Sequence, residues 1–270
     1  MLIDTHCHLD ADEFDRDRDA LVLAARAAGV GATVVPAIGP ENWVAVRDCC
    51  RRYPDCFPAY GIHPLYIQGI DDSVLDALRA WIGAELQGSL PPVAVGEIGL
   101  DDFLPGQDID RQEFLFLEQL KIARDFDLPV LLHVRRAVDR VLKCLRRVRV
   151  RGGIAHAFNG SLQQAKAFVG LNFKLGLGGA MTYSGSQRIR RLATTLPMGS
   201  LVLETDAPDI PPSWLVGKRN APSELAGIAD ALSHLRGLSR EDTARATSQN
   251  ACDVLKLCAR AGLTCFAPEA

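Results

Sequence analysis

The sequence predicts a single closed (β/α)₈ barrel of the TIM type, and three observations carry that prediction. Eight short apolar or β-branched runs recur along the 270 residues, each bounded by Gly, Pro or polar residues. Segments with helical periodicity lie between them. Five of the six histidines fall at or near the C-terminal ends of those runs. Strands that alternate with helices pair in parallel, because parallel neighbours need crossover connections. Eight such units favour a closed barrel over an open sheet, and barrels of about 250 residues are routinely single domains. No linker, internal repeat or low-complexity stretch interrupts the chain, so one domain is expected over residues 1–262, with 263–270 as a fraying tail.

The expected strands are Leu2–His8, Thr33–Ile38, Phe57–His63, Val93–Leu100, Val130–Val134, Gly153–Phe158, Phe173–Gly178 and Leu201–Asp206. Leu21, Ala24, Ala25 and Ala28 mark the buried face of a first helix, and Leu75, Leu78, Ile82 and Leu86 that of a later one. Asp108 to Asp127 is the clearest helical segment, with Pro129 as its stop signal. Helices near Ser223–Leu235 and Ser239–Cys258 close the pattern, and the Pro-rich run Ala207 to Pro212 reads as a loop over one end of the barrel.

Composition narrows the class. Hydrophobic residues make up 48% and charged residues 23%, which is ordinary for a soluble globule and excludes a disordered, collagen-like or coiled-coil chain. No apolar run is long enough for a membrane span, and the N-terminus lacks a secretory pattern. A net charge of −3 gives no support for nucleic-acid binding by bulk electrostatics, so any such contact must come from a local positive rim. The eight cysteines form no CxxC pair and read as reduced thiols, which places the protein in the cytoplasm. Nothing marks an obligatory protein partner, so a monomer is the default.

The polar residues stand where barrel chemistry occurs, at the C-terminal mouth. On a strand Asp4, His6 and His8 share one face while Thr5 and Cys7 point away, so His6-x-His8 can offer two imidazoles to one ion. Taken alone, that pair fits a satisfied core histidine equally well. Glu97, His133, His156 and Asp206 extend the pattern, each inside or at the end of an apolar run. An ionised carboxylate is costly there unless it is paired or metal-bound. The six groups can hold two divalent ions: His6, His8 and Asp206 the first, His133 and His156 the second, with Glu97 bridging. Imidazole and carboxylate without thiolate suit Zn, Mn, Fe or Ni, and Mg less comfortably.

Five further stretches carry a resemblance. Asp4-Thr5-His6-Cys7-His8, Gly61-Ile62-His63-Pro64, Val95 to Asp101, Leu128 to His133 and Leu203 to Pro208 occur in that order, with His156-Ala157-Phe158-Asn159-Gly160 between the last two. Together they resemble the TatD family of metal-dependent deoxyribonucleases, within the amidohydrolase-like barrels. Val134 to Ala137 and Gly160 to Ala165 look closest to its YjjV branch. The resemblance spans nearly the whole chain and implies the same six metal ligands, two divalent ions (Mg, Mn or Zn), and hydrolysis of phosphodiester bonds, commonly exonucleolytic on DNA. The chain departs from many members at Asp101-Asp102-Phe103, where an aromatic often follows the first Asp directly, so a differently shaped loop is expected there.

In such a site Asp206 and Glu97 serve catalysis through the ions, and Asp206 can also take a proton from the attacking water. His63 stands at a strand end before Pro64, as a catalytic or substrate-binding group or as a hydrogen-bonded loop residue. Arg135 can reach a phosphate or pair with a loop acid. Lys218 and Arg219, beside Trp214, can grip a single-stranded DNA backbone or simply keep a loop soluble. Arg136, Arg140, Lys143 and Arg147 recur at helical spacing and read as a solvated outer face, so Arg140→Ala is expected to be nearly silent. Glu204 reads as a buried carboxylate that orients a ligand, and Cys7 as packing. The same site on an ester or amide would make a deacylase, for instance on aminoacyl-tRNA, and a non-catalytic scaffold on this fold is the third reading.

Overall fold

The structure, a computed structural model, describes residues 1–257. The expected tail 263–270, Cys258 and the end of the domain expected over 1–262 lie outside the described residues. Eight parallel strands follow chain order: β1 (Leu2–Asp4), β2 (Val30–Pro36), β3 (Cys56–Tyr60), β4 (Ala94–Asp101), β5 (Val130–Arg135), β6 (Gly153–Ala155), β7 (Phe173–Leu177) and β8 (Leu201–Leu203). Each pairs with the next, and the seam between β8 and β1 is closed by Thr5, whose N–H and hydroxyl both donate to the Leu203 carbonyl, and by Asp206 N–H to the His6 carbonyl. The barrel fold is therefore the expected one. None of the described helices is long and apolar enough to cross a membrane.

The helices are α1 (Arg18–Ala27), α2 (Trp43–Arg52), α3 (Ser73–Glu85), α4 (Ile109–Asp125), α5 (Val138–Arg147), α6 (Leu162–Val169), α7 (Gln187–Thr195), α8 (Leu225–Arg236) and α9 (Arg240–Leu255). Local chemistry sets several starts. Asp108 caps α4 by accepting from Arg111 N–H, and Ser161 with Gln164 forms a reciprocal capping box on α6. Inside the barrel Ile3, Val34, Phe57, Ala59, Leu131, Ile154 and Val202 pack together, joined by Ala251, Cys252 and Leu255 of α9. Asn250 donates to the Leu201 carbonyl and Ser248 to that of Met1, so α9 plugs the N-terminal end of the barrel. Only the opposite mouth is left open.

Four strands stop before the residues expected inside them. β1 ends at Asp4, β3 at Tyr60, β6 at Ala155 and β8 at Leu203, so His6, His8, His63, His156 and Asp206 lie just beyond strand ends. The backbone there still bonds to its neighbours: His8 N–H to the Ala207 carbonyl, His63 to Ile38 and His156 to Leu132. The chain keeps its course towards the mouth while losing regular pairing. β4 departs differently. Its register with β5 shifts between Val95 and Ile98. Ala94 belongs to the inner cluster and Ile98 to the outer one, so alternation is reset and the intervening Glu97 turns into the barrel.

Gly99 carries this reset strand past β5. Its φ is +150°, and a Cβ there would lie 2.0 Å from the His133 carbonyl oxygen. Gly99→Ala is expected to cost about 3 kcal/mol, because backbone conformation and contact are both unfavourable. A urea denaturation midpoint unchanged from the parent would contradict this packing.

Candidate metal centre

Glu97 is 1% exposed and stands at the centre of the mouth. Its Oε2 faces His6 Nε2 at 2.9 Å and His8 Nε2 at 3.7 Å. Its Oε1 faces His133 Nδ1 at 2.9 Å, His156 Nε2 at 3.1 Å and His63 Nε2 at 3.5 Å. Asp206 Oδ1 joins the first side, 3.5 Å from His6 Nε2 and 3.8 Å from His8 Nε2. The six expected ligands thus gather at one centre, and His63 gathers with them. Three overlapping sets have ligand atoms close enough to share an ion: His6, His8 and Glu97; His6, His156 and Asp206; His63, Glu97 and His133.

Hydrogen-bond bookkeeping favours a cation among these atoms. Leu65 N–H donates to His63 Nδ1, so neutral His63 carries its proton on Nε2, which points at His133 Nδ1 at 3.0 Å. His133 Nε2 faces Asp101 Oδ2 at 2.8 Å and donates to it. A neutral His133 would then present a lone pair to Glu97 Oε1, although, against desolvation, Asp101 and Glu97 raise its pKa. The Nε2 atoms of His6 and His8 stand 3.3 Å apart, both facing Glu97 Oε2. His6 Nδ1, fully buried, has no partner. Crowded lone pairs with too few protons are what a divalent ion would satisfy.

Electrostatics follow from burial. Desolvation pushes His6 down to about 3, with His156 adding to the effect, and lifts Asp206 to about 6. Burial also lifts Asp4 to about 7, although Thr205 and the His6 N–H both donate to it. Desolvation opposes ionisation of Glu97, yet the surrounding imidazoles hold it well below the usual carboxylate range. His156 goes the other way: against desolvation, Glu97 and Asp206 raise it well above the ordinary histidine value.

The residues behind the ligands were partly legible. Glu204, 0% exposed, accepts from Ala157 N–H at 2.5 Å and stands 3.6 Å from His156 Nδ1, consistent with an orienting role. Asp4 does not point at the centre with His6 and His8; it ties β1 to Thr205. Sequence reasoning missed Asp101 as the partner of His133. Its signal was the period of two along Glu97, Gly99 and Asp101, read only as a loop variation.

A cavity of about 1620 Å³ opens over the centre, lined at its rim by Tyr66, Phe103, Arg135, Arg136, Arg140 and Arg188. The solvated-face expectation holds for exposed Lys143 and Arg147 but not for Arg136 and Arg140, which line the cavity. Arg140 faces the cavity and is tied to Glu113 and Asp110, because α5 starts at the mouth and its first turn overhangs it. Lys218 and Arg219 do not line the cavity. Arg219 pairs with Asp17 at 2.5 Å over the Phe14 ring, and the Trp214 indole N–H donates to Glu224.

The TatD related DNase family model matches residues 3–256. The chain belongs to that family. It is 41% identical over 249 residues to the uncharacterized metal-dependent hydrolase YjjV of Escherichia coli K12, covering 92% of this chain and 95% of that protein. It is 30% identical over 264 residues to the human deoxyribonuclease TATDN3, covering 93% of each. The crystal structure of the E. coli YjjV protein superposes with a TM-score of 0.90 at 39% identity, over 94% of this chain and 98% of that one. In this TatD family member the hydrogen-bond chain from Leu65 to Asp101 makes a direct prediction. Nitrogen-15 NMR of metal-stripped protein should show His63 neutral at pH 7 with its proton on Nε2, since burial lowers its pKa. A proton on Nδ1 would break the argument.

Proposed function

We propose that this protein is a metal-dependent hydrolase that cleaves phosphodiester bonds of single-stranded DNA from an end. The observation that carries the reading is the division of Glu97, whose two oxygens each face a separate group of imidazoles. His6, His8 and Asp206 would hold one divalent ion, His133 and His156 a second, and Glu97 would bridge them; Zn, Mn and Mg are the candidates. When bound, such ions lower the pKa of water and neutralise charge on the attacked phosphoryl group.

The chain's own groups do the rest. Asp206, at 8% exposure the ligand carboxylate nearest the opening, would take the proton of the attacking water. His63 offers an Nε2–H fixed by Leu65, a donor for a phosphoryl oxygen at the centre. Arg135, exposed on the rim without an ion-pair partner among the described residues, adds donors that fit phosphate. The names of the family and of TATDN3 support DNA as substrate, and the YjjV name supports metal-dependent hydrolysis.

Metal-stripped protein is incubated with single-stranded DNA labelled at either end, with Mg, Mn or Zn restored. Shortening that requires metal is expected, and the label reports polarity. Glu97→Gln should lower the rate about 10³-fold or more, whereas Lys143→Ala, on the outer face of α5, should leave it unchanged. Equal losses in both variants would sink the site assignment. Cleavage of charged tRNA but not of DNA would favour the deacylase.

A further inference from the structure

The mouth is electrically two-sided. On the wall built by β4 to β7, the cavity lining carries Arg135, Arg136, Arg140 and Arg188 against Asp102 and Asp139. On the wall built after β1 and β8 it carries Asp10, Asp12, Glu13 and Asp209 and, among the described residues, no lysine or arginine. Arg18 and Arg219 stand against the back of that acidic wall, donating to the Asp10, Ala11 and Glu13 carbonyls and pairing with Asp15 and Asp17, and do not line the cavity. The metal centre lies between the two walls.

The cations of the first wall are also unusually available. Arg135 and Arg136 lie over the same ring, that of Phe103, at 3.6 and 4.5 Å from its centroid. Neither pairs with a carboxylate among the described residues, unlike Arg140 with Glu113 and Asp110. A guanidinium held by a ring is fixed in place while its in-plane N–H donors stay free, which an ion pair would not allow. Phe103 itself is 38% exposed and held by its N–H to Asp101 Oδ1. Arg188, at the start of α7, is a third exposed cation further along the same wall, with no carboxylate partner among the described residues.

We propose that the mouth is a one-way track for a single-stranded polynucleotide. The strand leaves the metal centre across Phe103, Arg135, Arg136 and Arg188, whose guanidiniums take successive backbone phosphates. The acidic wall repels a strand continuing on the other side and leaves room there only for the short fragment released. Phe103 is a positioning residue that acts through the two arginines. The inference rests on the phosphodiester reading and adds which side the substrate occupies.

The test compares kcat/KM of the Mn-loaded enzyme on a dinucleotide and on an octadeoxynucleotide. In the parent the octamer is the better substrate. Phe103→Leu, Arg136→Gln and Arg188→Gln should each lower the octamer-to-dinucleotide ratio about tenfold through KM, with the salt dependence of KM on the octamer reduced by about one phosphate contact for each arginine. Phe103→Tyr should restore the ratio, since it keeps the ring. Covalently closed circular single strands should resist cleavage, and joint replacement of Asp12 and Asp209 by Asn should raise it. Unchanged ratios in all three variants, or circles cut as fast as linear strands, would overturn the track and leave the phosphodiester reading standing. Failure of the parent to cleave even the dinucleotide with any ion would overturn both.

Discussion

A single buried carboxylate sets the requirements that the rest of the structure meets. Glu97 lies inside a barrel where an isolated negative charge is costly by several kcal/mol, and it is ringed by His6, His8, His63, His133 and His156. The register shift in β4 turns it inward, Gly99 lets that strand pass β5, and α9 closes the far end of the barrel. Each feature either puts the carboxylate on the axis or limits access to it to one opening.

The groups around Glu97 are held by a chain of fixed partners rather than by one another alone. Leu65 fixes the His63 tautomer, Asp101 fixes His133, and Glu204 stands behind His156 while binding the Ala157 N–H. Ala157 and Asp206 both have positive φ, at 43° and 58°. Such conformations cost on the order of 1–3 kcal/mol in a residue with a side chain, and they persist where surrounding contacts enforce them. In both residues they fall next to the centre, where the barrel strands have already ended.

That division explains what the sequence made legible. Alternating apolar runs and helical periods reflect burial averaged over many residues, so eight strands and their order were readable. The candidate ligands were readable because a His or carboxylate inside an apolar run conflicts with its surroundings and needs a reason. Strand ends were not readable, because the chain beyond Asp4, Tyr60, Ala155 and Leu203 keeps an extended course without regular pairing. The inward turn of Glu97 depends on a pairing register between β4 and β5, which no local pattern specifies. Rim residues were the hardest: Arg219 and Arg135 look alike in sequence, yet one pairs with Asp17 and the other lies on Phe103. Only the fold decides which partner each meets.

The central claim is that Glu97 joins two ions. Metal content after equilibrium dialysis against Mn or Zn, measured by mass spectrometry on the parent chain and on Glu97→Gln, tests it most directly. The account predicts two ions per chain in the parent and fewer than two in the variant, with the barrel's circular dichroism unchanged. One ion per chain in the parent, or two retained by the variant with equal affinity, would contradict it.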